Sequence, residues 1–241
     1  MVSRLALFLV LVVGCAKAGK DFVTINGGDD DMVDGGFGRG DDVDAAPHPD
    51  GPLHIDAPSG GGGGISSTLT ETNDNNNSDN DRIFCQDNFF GGSLDMTYYR
   101  IFQPSLSGIT TEFDVTSVTF GVWAASGAND ISVSVGTYTG QIDQNLNLGM
   151  ITNLSTQLVN APDTGTGENV NVGINATIPA GGTFVVSVAV PDLSPDGFAM
   201  GMSEGGETHP GYLSSDACGQ AVTKTSAVGP GALLLAVTGS H

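Results

Sequence analysis

From about residue 81 to the end of the chain, apolar and polar residues alternate with a period of two, the signature of strands with one buried face. "MTYYRIFQ" (96–103) reads as a strand. "VTFGVWA" (118–124) places Val118, Phe120, Val122 and Ala124 on one face, and "ISVSVGTY" does the same with Ile131, Val133 and Val135. "MITNLSTQL" puts Met150, Leu154 and Leu158 on one side. The cleanest alternation is "NVNVGINATI", with Val170, Val172, Ile174, Ala176 and Ile178 against Asn169, Asn171, Gly173, Asn175 and Thr177. "PAGG" then turns the chain into "TFVVSVAV", whose Phe184, Val186, Val188 and Val190 share a face; "FAMGM" and "ALLLAVT" follow. No segment sustains a 3.6-residue apolar period. About eight strands separated by Gly, Pro and Asp turns predict an all-β fold, an antiparallel, jelly-roll-like β-sandwich over 81–241. Roughly 160 residues suffice for its core.

The first residues follow a different rule. Arg4 precedes an apolar run, "LALFLVLVV" (5–13), which in helix reaches only about 14 Å against roughly 30 Å of hydrocarbon. A secretory signal peptide over 1–14 is expected. The run ends in "VVGC", Val12 to Cys15, which resembles the lipobox of bacterial lipoprotein signal peptides. The resemblance implies that the Cys15 thiol is acylated, that the chain is cut before it, and that the new N-terminus is acylated too. Several acyl chains anchor a protein stably where one does so only marginally. Ala16 stands where Asp would favour inner-membrane retention in Gram-negative lipoproteins, so the resemblance implies the outer membrane.

Residues 15–80 read as a disordered acidic tether. Gly, Asp, Pro and Asn dominate, and large apolar side chains are too few to offset ordering entropy. A flexible coil of this length spans roughly 45 Å root-mean-square. "GGFGRGDD" (35–42) is a single defective copy of a calcium-binding nonapeptide, with Gly40 where Asp is needed. "DNNNSDND" (74–81) has alternating oxygen side chains, but Asp79 and Cys85 occupy the calcium-loop places for Gly and Glu. A solvated linker is expected at both, and no metal site.

Lipidation of Cys15 leaves an even pair of the three cysteines, and Cys85 and Cys218 are expected to form a disulfide in a compartment that permits one. The net charge of −20 argues against nucleic acid, whose affinity rests on Lys and Arg. Arg82, Arg100 and Lys224 are the basic residues of the strand-rich part.

Catalytic chemistry finds little support. "GMSEG" (201–205) satisfies G-x-S-x-G, with His209 six residues after Ser203. That motif works where Ser turns into a helix. Here Gly206, Pro210 and Gly211 follow and forbid one. His48, His54, His209 and His241 have no metal-ligand spacing. No catalytic residue, metal or cofactor is expected. Trp123, opposite in phase to Val122 and alongside Thr119 and Gly121, is the one candidate ligand contact: an outward indole offers sugars a stacking platform.

"FDVTSVTFGV", "ATIPAGGTFVVSVAVPD" and "GYLSSDACG" resemble an uncharacterised β-sandwich module that recurs in exported bacterial proteins. The resemblance covers about 95–240 and brings no functional residues with it. The expected protein is a lipid-anchored envelope sandwich used in binding, adhesion or envelope organisation, with a carbohydrate-binding accessory module as the alternative. Its expected partners are the membrane, through the anchor, and envelope proteins or neutral glycans.

Overall fold

The computed structural model describes residues 64–73, 82–85, 92–165, 167–193, 195–229 and 231–241. Their order is β1 (Ser66–Thr70), β2 (Arg82–Ile83), β3 (Met96–Phe102), β4 (Phe113–Ser126), β5 (Ile131–Tyr138), β6 (Ile151–Val159) and β7 (Glu168–Ile178). Then come β8 (Thr183–Val190), β9 (Gly197–Ser203), β10 (Gly211–Ser215), β11 (Gln220–Lys224), β12 (Ala232–Leu233) and β13 (Leu235–Ser240). The described residues thus hold more strands than the eight or so expected, because short pieces such as β2 and β12 carry no period of their own.

Two sheets result. A seven-stranded sheet runs β1-β13-β4-β9-β12, with β7 also paired to β4 and β2 to β9; a six-stranded sheet runs β11-β10-β3-β8-β5-β6. Every named strand pair is antiparallel. Their inner faces share one core, in which Phe113 of the first sheet stacks on Phe184 of the second at 6.3 Å between ring centroids. The fold is the expected antiparallel β-sandwich. Val118, Phe120, Val122, Ile131, Val133 and Val135 are fully enclosed, as their alternation requires.

Three details depart from the pattern. Strand β1 and the following Glu71–Asn73 lie within the stretch 15–80 expected to be tether, yet β1 pairs with β13 over its whole length and buries Leu69. "SSTLT" has one large apolar residue, too few to show a period; pairing supplies what the pattern lacks. In β4 a bulge between Val122 and Ala124 advances the phase, so Ala125 is buried in place of Ala124. The expected inward set, Met150 just before β6 and Leu154 and Leu158 within it, is exposed throughout. The β5 partners Ile131, Val133 and Val135 face the core, so the inward positions of β6 are Val159, Gln157 and Ser155, with a bulge between Ser155 and Asn153.

The outer face of the six-stranded sheet carries a second, smaller cluster. Tyr99, Ile101, Tyr138, Val185 and Tyr212 project from it, and the loop bearing Ile142 and Leu146 folds over them. Tyr212 donates to the Gln144 carbonyl at 2.5 Å, which straps that loop down.

Candidate functional site

The outer face of the seven-stranded sheet is built from the polar half of each alternation. On β4 and β7 it presents Ser117, Thr119, Asn169 and Asn171; on β1 and β13 it presents Thr68, Ala236 and Thr238. Neighbouring side chains bond across strands. Asn171 Nδ2 donates to Thr119 Oγ1 at 2.8 Å, the Thr68 and Thr238 hydroxyls lie 3.0 Å apart, and Thr177 donates to Asp114 at 2.6 Å. Such ladders hold short polar side chains in fixed positions.

A groove of about 190 Å³ opens in this face, lined by Thr68, Thr119, Asn169, Ala236 and Leu234 around Gly121. Leu234 is the break between β12 and β13: Gly121 donates to its carbonyl at 3.0 Å, and its own amide donates to Gly201 at 3.3 Å. The side chain lies flat on Gly121, where an added Cβ would stand 2.9 Å from Leu234 Cβ. Glycine is therefore required at 121 by close approach, and the groove is mainly apolar, with Thr68, Thr119 and Asn169 among its lining residues.

Trp123 continues the Thr119, Gly121 row on the same outward side of β4, as expected. It is half-buried, however, and the Arg82 guanidinium lies 4.0 Å from the centre of its ring. Arg82 arrives there because β2 pairs with β9, setting Arg82 opposite Gly201 on the outer face. The indole is thus one half of a cation–π pair, and one of its faces is covered by Arg82. Sequence reasoning missed Arg82, since nothing along the chain links position 82 to 123.

The Ser203 and His209 pair does not assemble. Ser203 is fully enclosed at the end of β9, and its Oγ accepts from the Gly205 amide at 3.1 Å. The chain then turns through 204–210 into β10, with no helix after the serine. His209 is directed elsewhere: Nδ1 lies 2.7 Å from Glu71 Oε2, and Nε2 lies 3.8 Å from Asp143. Thr208 donates to the same Glu71 oxygen.

Behind this loop sits Arg100, wholly enclosed on the inner face of β3. Its Nη2 donates to Glu207 at 2.9 Å and its Nη1 to the His209 carbonyl at 3.2 Å. Gly211 makes room, because a Cβ there would come within 3.2 Å of Nη2. Burial pushes the guanidinium pKa down, opposed by the charge of Glu207. A charged residue in the inward phase of a strand, with its partner in a distant loop, was not legible in the sequence. These groups pin the β9–β10 loop and the end of β1 to β3; no nucleophile stands among them.

Cys85 and Cys218 form the expected disulfide, with Cα atoms 6.3 Å apart and a sequence separation of 133. Among the described residues no group of three or more His, Cys, Asp or Glu is placed to hold a metal ion. No described helix is long and apolar enough to cross a membrane. Cys15 and the segments 35–42 and 74–81 lie outside the described residues.

No protein-family model matches the sequence, and no curated protein matches it. Among solved structures, the cysteine protease and lectin-like domains of Cwp84, a surface layer associated protein of Clostridium difficile, match at 13% identity with a TM-score of 0.41. The match covers 61% of this chain and 32% of that one, so this chain spans about a third of its length.

Proposed function

We propose that the chain is a bacterial envelope lipoprotein, anchored in the outer membrane through Cys15, whose sandwich recognises its ligand without chemistry. The observation that carries the reading is the outer face of the seven-stranded sheet. Its groove is lined by Thr68, Thr119 and Asn169 beside Gly121 and Leu234, and is mainly apolar. Neutral, hydroxyl-rich or amide-rich surfaces complement such a site, whereas the strongly acidic chain repels anionic ones. The Cys85–Cys218 bond supports export, since disulfides persist in oxidising compartments.

A carbohydrate-binding module is the second reading, and Trp123 favours it. A sugar extending along β4 from the groove residues Thr119 and Gly121 would reach the indole, beside the Arg82 guanidinium. Two experiments test the function. Acyl labelling of Cys15→Ser should be lost and the variant should leave the membrane fraction; an unlabelled, membrane-bound wild type defeats the anchor. Neutral glycans and envelope proteins should bind the wild type and lose affinity for Thr119→Arg, which fills the groove with a charged side chain. Undiminished binding by that variant places the ligand on another surface.

A further inference from the structure

We infer that His209 is a proton-operated clasp: charging its ring fastens the loop between β5 and β6 to the β9–β10 loop and the end of β1. The ring stands between two carboxylates from distant parts of the chain. Nδ1 lies 2.7 Å from Oε2 of Glu71, just after β1, and Nε2 lies 3.8 Å from Oδ1 of Asp143, in the β5–β6 loop. A neutral imidazole has one N–H, so it donates on one side and turns a lone pair to the other. Ionised Glu71 can only accept, which assigns the single proton to Nδ1. Nε2 and Asp143 are then two acceptors facing each other. A second proton makes Nε2 a donor and turns that contact from repulsive to attractive.

The other titratable groups gathered here are Glu207 and Arg100, and Tyr212 and Tyr138 on the outer face of the six-stranded sheet. Arg100 is engaged with Glu207 and with the His209 carbonyl, so its guanidinium is directed away from Asp143. Burial holds the Tyr212 phenol up to about 12, and it stays neutral where a histidine titrates. The Thr208 hydroxyl and amide donate to Glu71, which fixes the carboxylate against which the ring is set.

The loop that Asp143 belongs to covers the tyrosine-lined face with Ile142 and Leu146. Two ties already hold it, from the Tyr212 hydroxyl to the Gln144 carbonyl and from the Asn147 amide to the Tyr138 oxygen at 3.3 Å. Neither of these ties gains or loses a proton in the histidine range, whereas the tie to His209 does. The Asp143 side chain is 77% exposed, so the added tie is that of a surface ion pair and tunes the loop without being needed for the fold. The sign follows from the ring: the charged form gains a partner, so the contribution is present in acid and is lost as pH rises through the histidine range.

A double-mutant cycle with His209→Ala and Asp143→Ala in the full chain, read by urea unfolding, tests this at about pH 5.5 and about pH 8.5, on either side of the histidine range and above that of carboxylates. The coupling between the two residues should change the unfolding constant about two- to fivefold at the lower pH and vanish at the higher. High salt should weaken it. The cycle cancels the titration of His241, which both arms share. The same cycle with Asp216→Ala, at the far end of β10, should show no coupling at either pH. If His209→Ala unfolds, amide exchange at Gln144 and Asn147, corrected for intrinsic rates, decides. Protection there should fall as pH rises in wild type and should be low at both values in Asp143→Ala. Coupling that is equal at both values, absent from both, or matched by Asp216→Ala overturns the clasp, as does loop protection that follows pH equally without Asp143.

Discussion

Arg100 and Glu207 form an ion pair at 2.9 Å in which the arginine side chain has no solvent exposure at all. Removing one partner from such a pair strands the other as an uncompensated buried charge. Replacing both by apolar groups of similar size avoids that cost. Glu207→Ala should therefore destabilise the fold by about 3–5 kcal/mol in urea denaturation. The double variant Arg100→Met, Glu207→Leu should lose less than Glu207→Ala alone. A double variant that loses the sum of the two single losses would mean that the pair itself contributes nothing.

The Cys85–Cys218 bond ties the segment after β2 to the β10–β11 turn across most of the sandwich. Chain-entropy reasoning for so long a loop gives about 5 kcal/mol as an upper figure. Reduction, or Cys85→Ser with Cys218→Ser, should lower the urea midpoint by a corresponding amount. A midpoint unchanged by reductant, with both thiols then accessible to alkylation, contradicts this.

Burial pushes the Tyr98 phenol upward, and Tyr212 up to about 12, the latter aided by Tyr138, Asp143 and Glu207 nearby. The Tyr98 hydroxyl donates to the Ile83 carbonyl at 2.6 Å. A folded-state pKa above the unfolded value of about 10 means that the unfolded chain sheds its protons first. Stability from these tyrosines is complete below pH 10 and falls as pH rises through about 12. Absorbance near 295 nm should show part of the phenol signal appearing only with unfolding. Tyr212→Phe should lose less stability than wild type between pH 10 and about 12. Full ionisation of all tyrosines with the fold intact would show the burial to be wrong.

How far the sequence carried differs between elements for physical reasons. β5, β7 and β8 are long strands with one face in the core, and their alternation alone places Val133, Val172 and Val186 inside. β1 has Leu69 as its one large apolar residue and owes its place to β13. β6 has a strong apolar spacing that misleads, because an edge strand with a bulge need not bury what it carries. Of the candidate site, the outward phase of Trp123 was legible and its Arg82 cover was not. Cation–π partners, like the Arg100–Glu207 pair, come from strands brought together only by the sheet.

Ser203 is enclosed and serves the Gly205 amide. A fluorophosphonate probe should leave it unlabelled. Ser203→Ala should cost about 1 kcal/mol of stability for the lost acceptor and leave ligand binding unchanged. Stoichiometric labelling at this residue would demand a hydrolase.

Trp123 is the chain's single tryptophan, and it follows the groove residue Gly121 by two positions on the same side of β4. Its fluorescence therefore reports on one place. The Arg82 guanidinium lies against its ring, a contact that ties β2 to the sheet at about 0.5–1 kcal/mol for an accessible pair. Arg82→Ala should shift the emission and lower stability by that amount, without touching Thr119 or Asn169. If the ligand lies in the groove, titrating it should change the emission saturably in wild type and in Arg82→Ala, with a larger change where the ring is uncovered. Trp123→Ala should then weaken a sugar more than a protein ligand, because a pyranose depends on stacking where a broad protein contact draws on the whole face. A ligand that binds with no change in emission, and equally well to Trp123→Ala, does not use this end of the sheet.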